Sequence, residues 1–220
     1  MREVMLTGVG GQGTVLAAKV LAQAALAKGW NVRTAETIGM AQRGGSVVSH
    51  VRMGDAGEPV FGPLIARGCA DLIIAFEPAE AVRVLPYLAP NGAVVTASTA
   101  VQPVTAALSP TPYRAAEACD YLRKQLDAAG EEASAAPTAL AATAPVSPSV
   151  ATPANPTRLI VVPDKQLCDE LGTRKALNMV LLGKASAAGL LPFAASELQT
   201  AMESLVNPRF HDLNRRALGL

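Results

Sequence analysis

Apolar residues along the chain fall into two kinds of pattern, which predict two kinds of element. Short, mostly apolar runs predict strands, whereas apolar residues repeated every three or four positions predict helices. The predicted strands cover residues 1–7, 31–35, 47–53, 70–76, 93–97 and 158–162. The predicted helices cover residues 14–28, 79–88, 113–129 and 165–188, with two more toward the C-terminus. Strands that alternate with helices in this way predict an α/β fold with a mostly parallel sheet.

The character of these elements refines the fold class. The run 70–76 is continuously apolar, which is typical of a central strand that is buried on both faces. The run 47–53 alternates apolar and polar residues, which predicts a strand with one solvated face. The last part of the chain is mainly helical. We therefore expect a three-layer α/β protein with a mixed, mostly parallel sheet, a Rossmann-like start and C-terminal helices.

One segment interrupts what is otherwise expected to be a single domain, residues 1–220. Residues 130–157 are almost all Ala, Pro, Ser and Thr and contain five prolines. A segment of this composition cannot bury a core. It predicts a disordered Ala/Pro-rich insertion between a helix and the strand that follows it.

Composition and charge exclude several classes of function. Half of the residues are hydrophobic and the formal net charge is +1, so no attraction to nucleic acid or to an acidic membrane surface is predicted. No apolar run is long enough to span a bilayer and no signal peptide is visible, so we expect a cytoplasmic location. The three cysteines, Cys69, Cys119 and Cys168, are widely separated, which argues against a disulfide framework or a metal site built by this chain alone.

The stretch most informative about chemistry follows the first predicted strand directly. It reads Gly8-Val9-Gly10-Gly11-Gln12-Gly13, and the helical pattern begins at Thr14. A strand, a glycine-rich turn and a helix in this order aim unpaired backbone N–H groups at an anion. The stretch is compatible with G-x-G-x-x-G, a weak signal by itself. A phosphate- or nucleotide-binding loop and a tight turn without a ligand are both open interpretations of these residues.

A second glycine-bearing stretch, residues 38–46, follows the second predicted strand. It contains Arg43 beside Gly44 and Gly45, and arginine offers a fork of hydrogen-bond donors to phosphate or carboxylate. Both loops are expected at the carboxyl ends of strands, where open α/β sheets bind ligands. The alternative is a turn with a solvated arginine.

Glu36 supports a competing hypothesis. It lies 23 residues after Gly13, about where an acidic residue holds the ribose of a dinucleotide in a Rossmann fold. The chain would then be an NAD(P)-dependent dehydrogenase, although no convincing acid–base residue can be named and the second loop would have no role. A further alternative is a non-catalytic assembly subunit in which the loops serve only packing.

Taken together, the two loops resemble those of one family. The stretches that carry the resemblance are Gly8 to Gly13, Gly39-Met40-Ala41-Gln42-Arg43-Gly44-Gly45-Ser46-Val47, Ser49-His50-Val51-Arg52-Met53-Gly54, Ala70-Asp71-Leu72 with Glu77 and Glu80-Ala81, and Leu171-Gly172 with Asn178-Met179-Val180-Leu181-Leu182-Gly183. With them the chain resembles the gamma-type subunits of 2-oxoacid:ferredoxin oxidoreductases, and among these the beta subunits of indolepyruvate ferredoxin oxidoreductases. The resemblance covers nearly the whole chain except residues 130–157.

The resemblance implies a function that needs a partner. The family oxidatively decarboxylates a 2-oxoacid, transfers the acyl group to coenzyme A and passes electrons to ferredoxin. This chain has neither a cysteine array nor the Gly-Asp-Gly motif of thiamine binding. Thiamine diphosphate and the [4Fe–4S] clusters are therefore expected in a larger partner subunit. The chain alone should be inactive, and selectivity for one 2-oxoacid should reside largely in the partner.

The same resemblance implies a set of site residues. They would form this chain's share of a coenzyme A site at the subunit interface, with the lysine one helical turn beyond the loop as a charge partner. The residues are Gly8, Gly10, Gly11, Gln12, Gly13, Thr14, Lys19, Arg43, Gly44, Gly45 and Ser46. No catalytic residue can be named, and no metal ligand is expected in this chain.

Overall fold

One mixed sheet organises the part of the chain that the structure describes. A computed structural model describes residues 1–38, 45–55, 57–101, 113–135 and 158–220. The strands are β1 (Arg2–Val9), β2 (Asn31–Ile38), β3 (Ser46–Gly54), β4 (Ala70–Ala75), β5 (Leu88–Ala97) and β6 (Leu159–Val162). Their order across the sheet is β2-β3-β1-β4-β5-β6. Of these six strands, only β3 is reversed, pairing antiparallel with β1 and β2, while β4, β5 and β6 continue parallel to β1.

Helices cover both faces of this sheet. They are α1 (Thr14–Ala27), α2 (Pro78–Val84), α3 (Ala115–Ala135), α4 (Asp164–Leu171), α5 (Leu177–Ala187), α6 (Ala195–Leu205) and α7 (His211–Leu218). Successive strand residues point to opposite faces. Leu6 and Ile74 accordingly join one buried cluster with α1, α5, α6 and α7, and Met5 and Ile73 join a second cluster with α2 and α3. The predicted three-layer, mixed and mostly parallel α/β fold is confirmed.

Two predicted elements have different bounds in the structure, and a glycine lies at each difference. The predicted helix 165–188 is two helices, α4 and α5, since Gly172 ends α4 with a φ of +72°. The strand predicted at 93–97 begins earlier, because β5 also contains Asn91 and Gly92, where the register with β4 shifts. A Cβ at Gly92 would stand 2.7 Å from the carbonyl oxygen of Ala70, so glycine lets the two strands approach at this irregularity.

The helix before the predicted insertion is longer than its apolar pattern indicated. Helix α3 ends at Ala135, six residues beyond the predicted end at residue 129. Residues 130–135 of the expected loop are therefore helical. The remainder of the predicted insertion, residues 136–157, lies outside the described residues. Within the described ranges, no helix is long and apolar enough to cross a membrane.

Candidate functional site

The loop that joins β1 to α1 forms the floor of the candidate site. Gly11 and Gly13 have φ angles of +101° and +84°, in the left-handed region that glycine adopts without steric cost. These two conformations turn the chain between Val9 and Thr14, so that α1 begins directly after the end of β1. The strand, glycine turn and helix predicted from the sequence are confirmed.

The side chain of Gln12 holds this loop together from inside. Its Oε1 accepts a hydrogen bond from the Val9 N–H at 2.7 Å, and its Nε2 donates to the carbonyl oxygen of Phe76 at 3.0 Å. A Cβ at Gly8 would stand 2.7 Å from that Oε1 and 2.9 Å from the Phe76 Cβ. Gly8 therefore leaves room for the Gln12 amide, and both residues shape the loop from behind the cavity.

Asn178 sets the position of Gly13 from the other side. This residue of α5 is buried, and its Nδ2 would lie 2.8 Å from a Cβ at Gly13. Its Oδ1 accepts from the Met179 N–H at 3.0 Å. Both the backbone angle of Gly13 and its close contact with Asn178 therefore require glycine at this position.

A cavity of about 420 Å³ opens above the loop. It brings together five of the predicted site residues, namely Gly10, Gly11, Gly13, Thr14 and Lys19, with Val9, Val15, Leu16 and Val47 as the rest of its lining. Lys19 has an exposed side chain and adds a positive charge to an otherwise neutral lining. Gly8 and Gln12 are not part of this lining.

The first turn of α1 lines this cavity, and some of its polar groups have no partner among the described residues. The N-cap residue is Gly13, which has no side chain to bind the N–H groups of the first turn. Thr14 is only 2% exposed, and its Oγ1 has no hydrogen-bond partner among the described residues. Unpaired N–H groups and the helix dipole attract an anion. The geometry is that of a phosphate-binding helix N-terminus.

The second glycine loop ends beside the first. The Gly10 N–H donates to the carbonyl oxygen of Gly45 at 2.9 Å. Ser46 then opens β3, and its Oγ donates to Glu80 Oε2 at 2.5 Å. Arg43 and Gly44 lie outside the described residues, so their place beside the cavity stays a prediction.

An acidic pair lies behind this junction, at the end of β4. Glu77 and Glu80 are 2% and 6% exposed, respectively, and Glu77 Oε2 accepts from the Glu80 N–H at 3.1 Å as the N-cap of α2. Burial raises the pKa of Glu77, while a hydrogen bond from Tyr113 acts in the opposite direction. Burial and that same bond raise the pKa of the Tyr113 hydroxyl.

Glu77, Glu80 and Asn178 are not among the predicted site residues, although all three lie in the resembling stretches. A polar residue followed by proline after a buried strand is typical of a helix N-cap, and Glu77 is the N-cap of α2. Nothing local marks Glu80 or Asn178 as site residues, because their contacts with the two glycine loops join residues distant in sequence. Among the described residues, no three His, Cys, Asp or Glu side chains are grouped to hold a metal ion.

The loop from Gly8 to Gly13 and the first turn of α1, together called the glycine cradle, lie at the end of β1 in this α/β fold. Comparison with known proteins identifies the family. Residues 3–220 match the model of the pyruvate ferredoxin/flavodoxin oxidoreductase family. The chain belongs to this family.

Curated relatives cover the chain almost from end to end. The indolepyruvate oxidoreductase subunit IorB of Archaeoglobus fulgidus is 35% identical over 217 residues, which are 98% of this chain and 90% of that protein. The corresponding subunit of Thermococcus kodakarensis is 32% identical over 219 residues, which are 99% and 92% of the two chains.

Solved structures share the fold at lower identity. The keto/oxoacid ferredoxin oxidoreductase gamma subunit of Geobacter sulfurreducens has a TM-score of 0.60 and 19% identity, with 99% of this chain and 94% of that chain covered. The 2-oxoglutarate:ferredoxin oxidoreductase of Magnetococcus marinus, solved with 2-oxoglutarate, coenzyme A and succinyl-CoA bound, has a TM-score of 0.59 and 16% identity. In that case 99% of this chain corresponds to 29% of a much longer chain.

Proposed function

We propose that this chain is the small subunit of an indolepyruvate-type 2-oxoacid:ferredoxin oxidoreductase, and that its glycine cradle holds a phosphate group of coenzyme A. Family membership supports the reaction class, and the names of the curated relatives support a subunit that acts on indolepyruvate or a related aryl pyruvate. The glycine cradle at the α1 N-terminus is the structural feature that supports coenzyme A as the ligand.

Coenzyme A fits the chemistry of the cradle. Its phosphate groups are anionic and accept hydrogen bonds, whereas the cradle offers the N–H groups of the first turn of α1, the Thr14 hydroxyl and the Lys19 ammonium group. A lysine and a helix N-terminus are the usual protein partners of phosphate. The apolar side chains of Val15, Leu16 and Val47 complete the lining and can pack against uncharged parts of the ligand.

The redox chemistry belongs to the larger partner subunit in this proposal. Thiamine diphosphate would supply the decarboxylation chemistry there, and [4Fe–4S] clusters would carry electrons to ferredoxin. The curated relatives are themselves named as subunits, which supports an assembly of more than one chain. This chain would contribute coenzyme A binding and part of the interface, and would be inactive alone.

The experiment uses the complex of this chain with its partner. Calorimetry would measure coenzyme A affinity in the wild type and in Lys19→Ala, for which we expect about fivefold weaker binding because one charge near a phosphate contributes about 1 kcal/mol. Lys124→Ala, at an exposed lysine of α3, is the matched control and should bind as the wild type does. Equal affinity in the Lys19 and Lys124 variants would contradict the proposed phosphate site.

The topology weakens the dinucleotide alternative. Glu36 lies within β2, which is separated from β1 by the reversed strand β3. Two strand spacings place Glu36 roughly 10 Å to the side of β1, whereas the Rossmann acidic residue follows the strand that neighbours β1. A titration with NAD, followed by the fluorescence of Trp30, would revive this alternative if it showed micromolar binding.

A further inference from the structure

We infer that Glu80 is a positioning residue of the phosphate cradle, which acts through its hydrogen bond with Ser46. This inference rests on the proposed coenzyme A site and deepens it. Ser46 is then a link between α2 and the second glycine loop, not a direct contact of the ligand.

Two hydrogen bonds connect Glu80 to the cradle. Glu80 Oε2 accepts from Ser46 Oγ at 2.5 Å, and the carbonyl oxygen of the neighbouring Gly45 accepts from the Gly10 N–H at 2.9 Å. Gly10 lines the cavity directly. The carboxylate on α2 therefore determines where the end of the second loop meets the first loop, and so where one wall of the cavity stands.

The hydrogen-bond direction excludes Ser46 as a donor to phosphate in this arrangement. A serine hydroxyl has one hydrogen to donate, and that of Ser46 points to Glu80. A phosphate oxygen needs a donor, as the carboxylate does. Gly10 is likewise occupied, because its N–H already donates to Gly45. The donors left for a phosphate are the first turn of α1, Thr14 and Lys19.

The burial of Glu80 supports this positioning role for its carboxylate. Glu80 is 6% exposed, and burial of a carboxylate is unfavourable unless hydrogen bonds compensate it. An apolar residue of similar volume would fill the same space without that cost. What the carboxylate adds is one short, charge-assisted hydrogen bond with a defined direction, which selects a single orientation for Ser46. Its second oxygen, Oε1, lies 3.3 Å from the exposed Arg83.

A double-mutant cycle in the intact complex separates positioning from direct contact. The variants are Ser46→Ala, Glu80→Met and the two together, and the readouts are KM for coenzyme A, kcat and the unfolding midpoint. We expect each single change to raise KM for coenzyme A about 2- to 10-fold, the range for the loss of one hydrogen bond, with kcat at saturating coenzyme A little altered. The double variant should resemble the single variants, because both changes break the same link.

Three further variants give the cycle its controls. Ser46→Thr keeps the hydroxyl and should restore KM for coenzyme A close to the wild-type value. Arg83→Ala removes the exposed ion pair alone and should leave that KM unchanged. Ser186→Ala removes a hydroxyl near the C-terminal end of α5 that donates to the Phe193 carbonyl oxygen at 2.8 Å, outside the cavity lining, so it should alter the unfolding midpoint without altering KM.

The outcomes distinguish this inference from the proposed function. If Lys19→Ala raises KM for coenzyme A but neither Ser46→Ala nor Glu80→Met does, the positioning role is wrong and the coenzyme A site stands. If the two single effects multiply in the double variant, Ser46 contacts the ligand independently and the inference is overturned. If none of the variants, Lys19→Ala included, alters KM, both proposals fall.

Discussion

Two regions at the same edge of the sheet treat their polar groups in opposite ways. At the end of β1, the glycine loop leaves the Thr14 hydroxyl without a partner among the described residues and leaves α1 without a side-chain cap. At the ends of β5 and β6, Asp164 is fully buried, and both of its carboxylate oxygens accept hydrogen bonds. Its Oδ1 accepts from the backbone N–H and the hydroxyl of both Ser98 and Thr99, and its Oδ2 accepts from Arg174 at 2.9 Å.

This difference shows why cavity size alone does not locate a binding site. A larger depression, of about 640 Å³, lies beside the Asp164 network and includes Ser98, Gln166 and Glu170 in its lining. Two of the polar groups there bind each other, because Gln166 Nε2 donates to Glu170 Oε1 at 3.2 Å. The smaller cavity over the glycine loop retains donors that have no acceptor among the described residues. Capacity to bind an anion follows from donors left unpaired, not from volume.

The largest expected effect on stability follows from removal of the Asp164 carboxylate. Asp164→Ala should lower the free energy of unfolding by about 3 kcal/mol, because buried donors lose an ionised acceptor, while coenzyme A affinity of the folded complex stays unchanged. Urea denaturation and calorimetry would measure the two quantities. Asp169→Ala, at an exposed position of the same helix, should change stability by less than about 0.5 kcal/mol. Similar losses in both variants would contradict the importance of the Asp164 network.

At the glycine loop, Gly13→Ala should reduce both stability and coenzyme A affinity. The positive φ and the contact with Asn178 Nδ2 both oppose a Cβ, so we expect a loss of about 2–3 kcal/mol in the free energy of unfolding. Gly29→Ala is the matched control: its φ is +76° and no atom would meet the new Cβ within 4 Å. It should cost about 1 kcal/mol, for the backbone conformation alone, and leave coenzyme A affinity unaltered. Thermal unfolding and calorimetry of both variants would test this, and a smaller loss at Gly13 than at Gly29 would be inconsistent with the Asn178 contact.

The role of the Thr14 hydroxyl in binding can be tested without lowering the free energy of unfolding. Thr14→Val keeps the shape and removes a buried polar group, so the unliganded protein should be as stable as the wild type or about 1 kcal/mol more stable. Coenzyme A affinity should nevertheless fall about 2- to 10-fold, since one hydrogen bond to the ligand is lost. Thr7→Val removes another buried hydroxyl that has no partner in the described part of the chain; it lies on β1, outside the cavity lining. Binding that falls equally in both variants would indicate a general effect and remove Thr14 from the site.

The smallest expected effect on stability concerns Glu77, the N-cap residue of α2. It lies between the glycine loop and the Asp164 network. Burial raises the pKa of Glu77 above its usual value near 4.5, so the protonated form favours the fold. That stabilisation is complete below pH 4.5 and is lost as the pH rises through the higher pKa of the folded state. Glu77→Gln keeps an acceptor for the Glu80 N–H and removes the titration.

Urea midpoints measured from pH 4.5 upward should therefore decline less in Glu77→Gln than in the wild type. Glu117→Gln, at an exposed glutamate of α3, should retain the wild-type pH dependence. If all three proteins lose stability with the same pH dependence, the titration of Glu77 makes no contribution to it.

Local sequence patterns predicted the elements that lead to the site more reliably than the contacts within it. The apolar run of β4 and the spacing of α1 are periodic signals, and both elements form as expected. Gln12 was expected to bind the ligand, but its amide atoms bind Val9 and Phe76. The sequence shows a polar residue within a glycine loop and cannot show which partner its amide will find. Likewise, the sequence cannot show that the Ser46 hydroxyl donates to Glu80, which is 34 residues away.

By itself the sequence determined the α/β class, the glycine turn that opens α1 and the family to which the chain belongs. The fold class and the turn follow from short-range periodicity and from backbone angles that only glycine adopts readily. The family follows from the match of residues 3–220 to the family model. Tertiary structure alone decided the reversed position of β3 between β1 and β2, the burial of Glu80 and the contact of Asn178 with Gly13. Each of these joins residues far apart in the chain, and such pairings depend on packing of the whole molecule. For that reason only the folded protein shows which polar groups of the glycine loop remain free for a ligand.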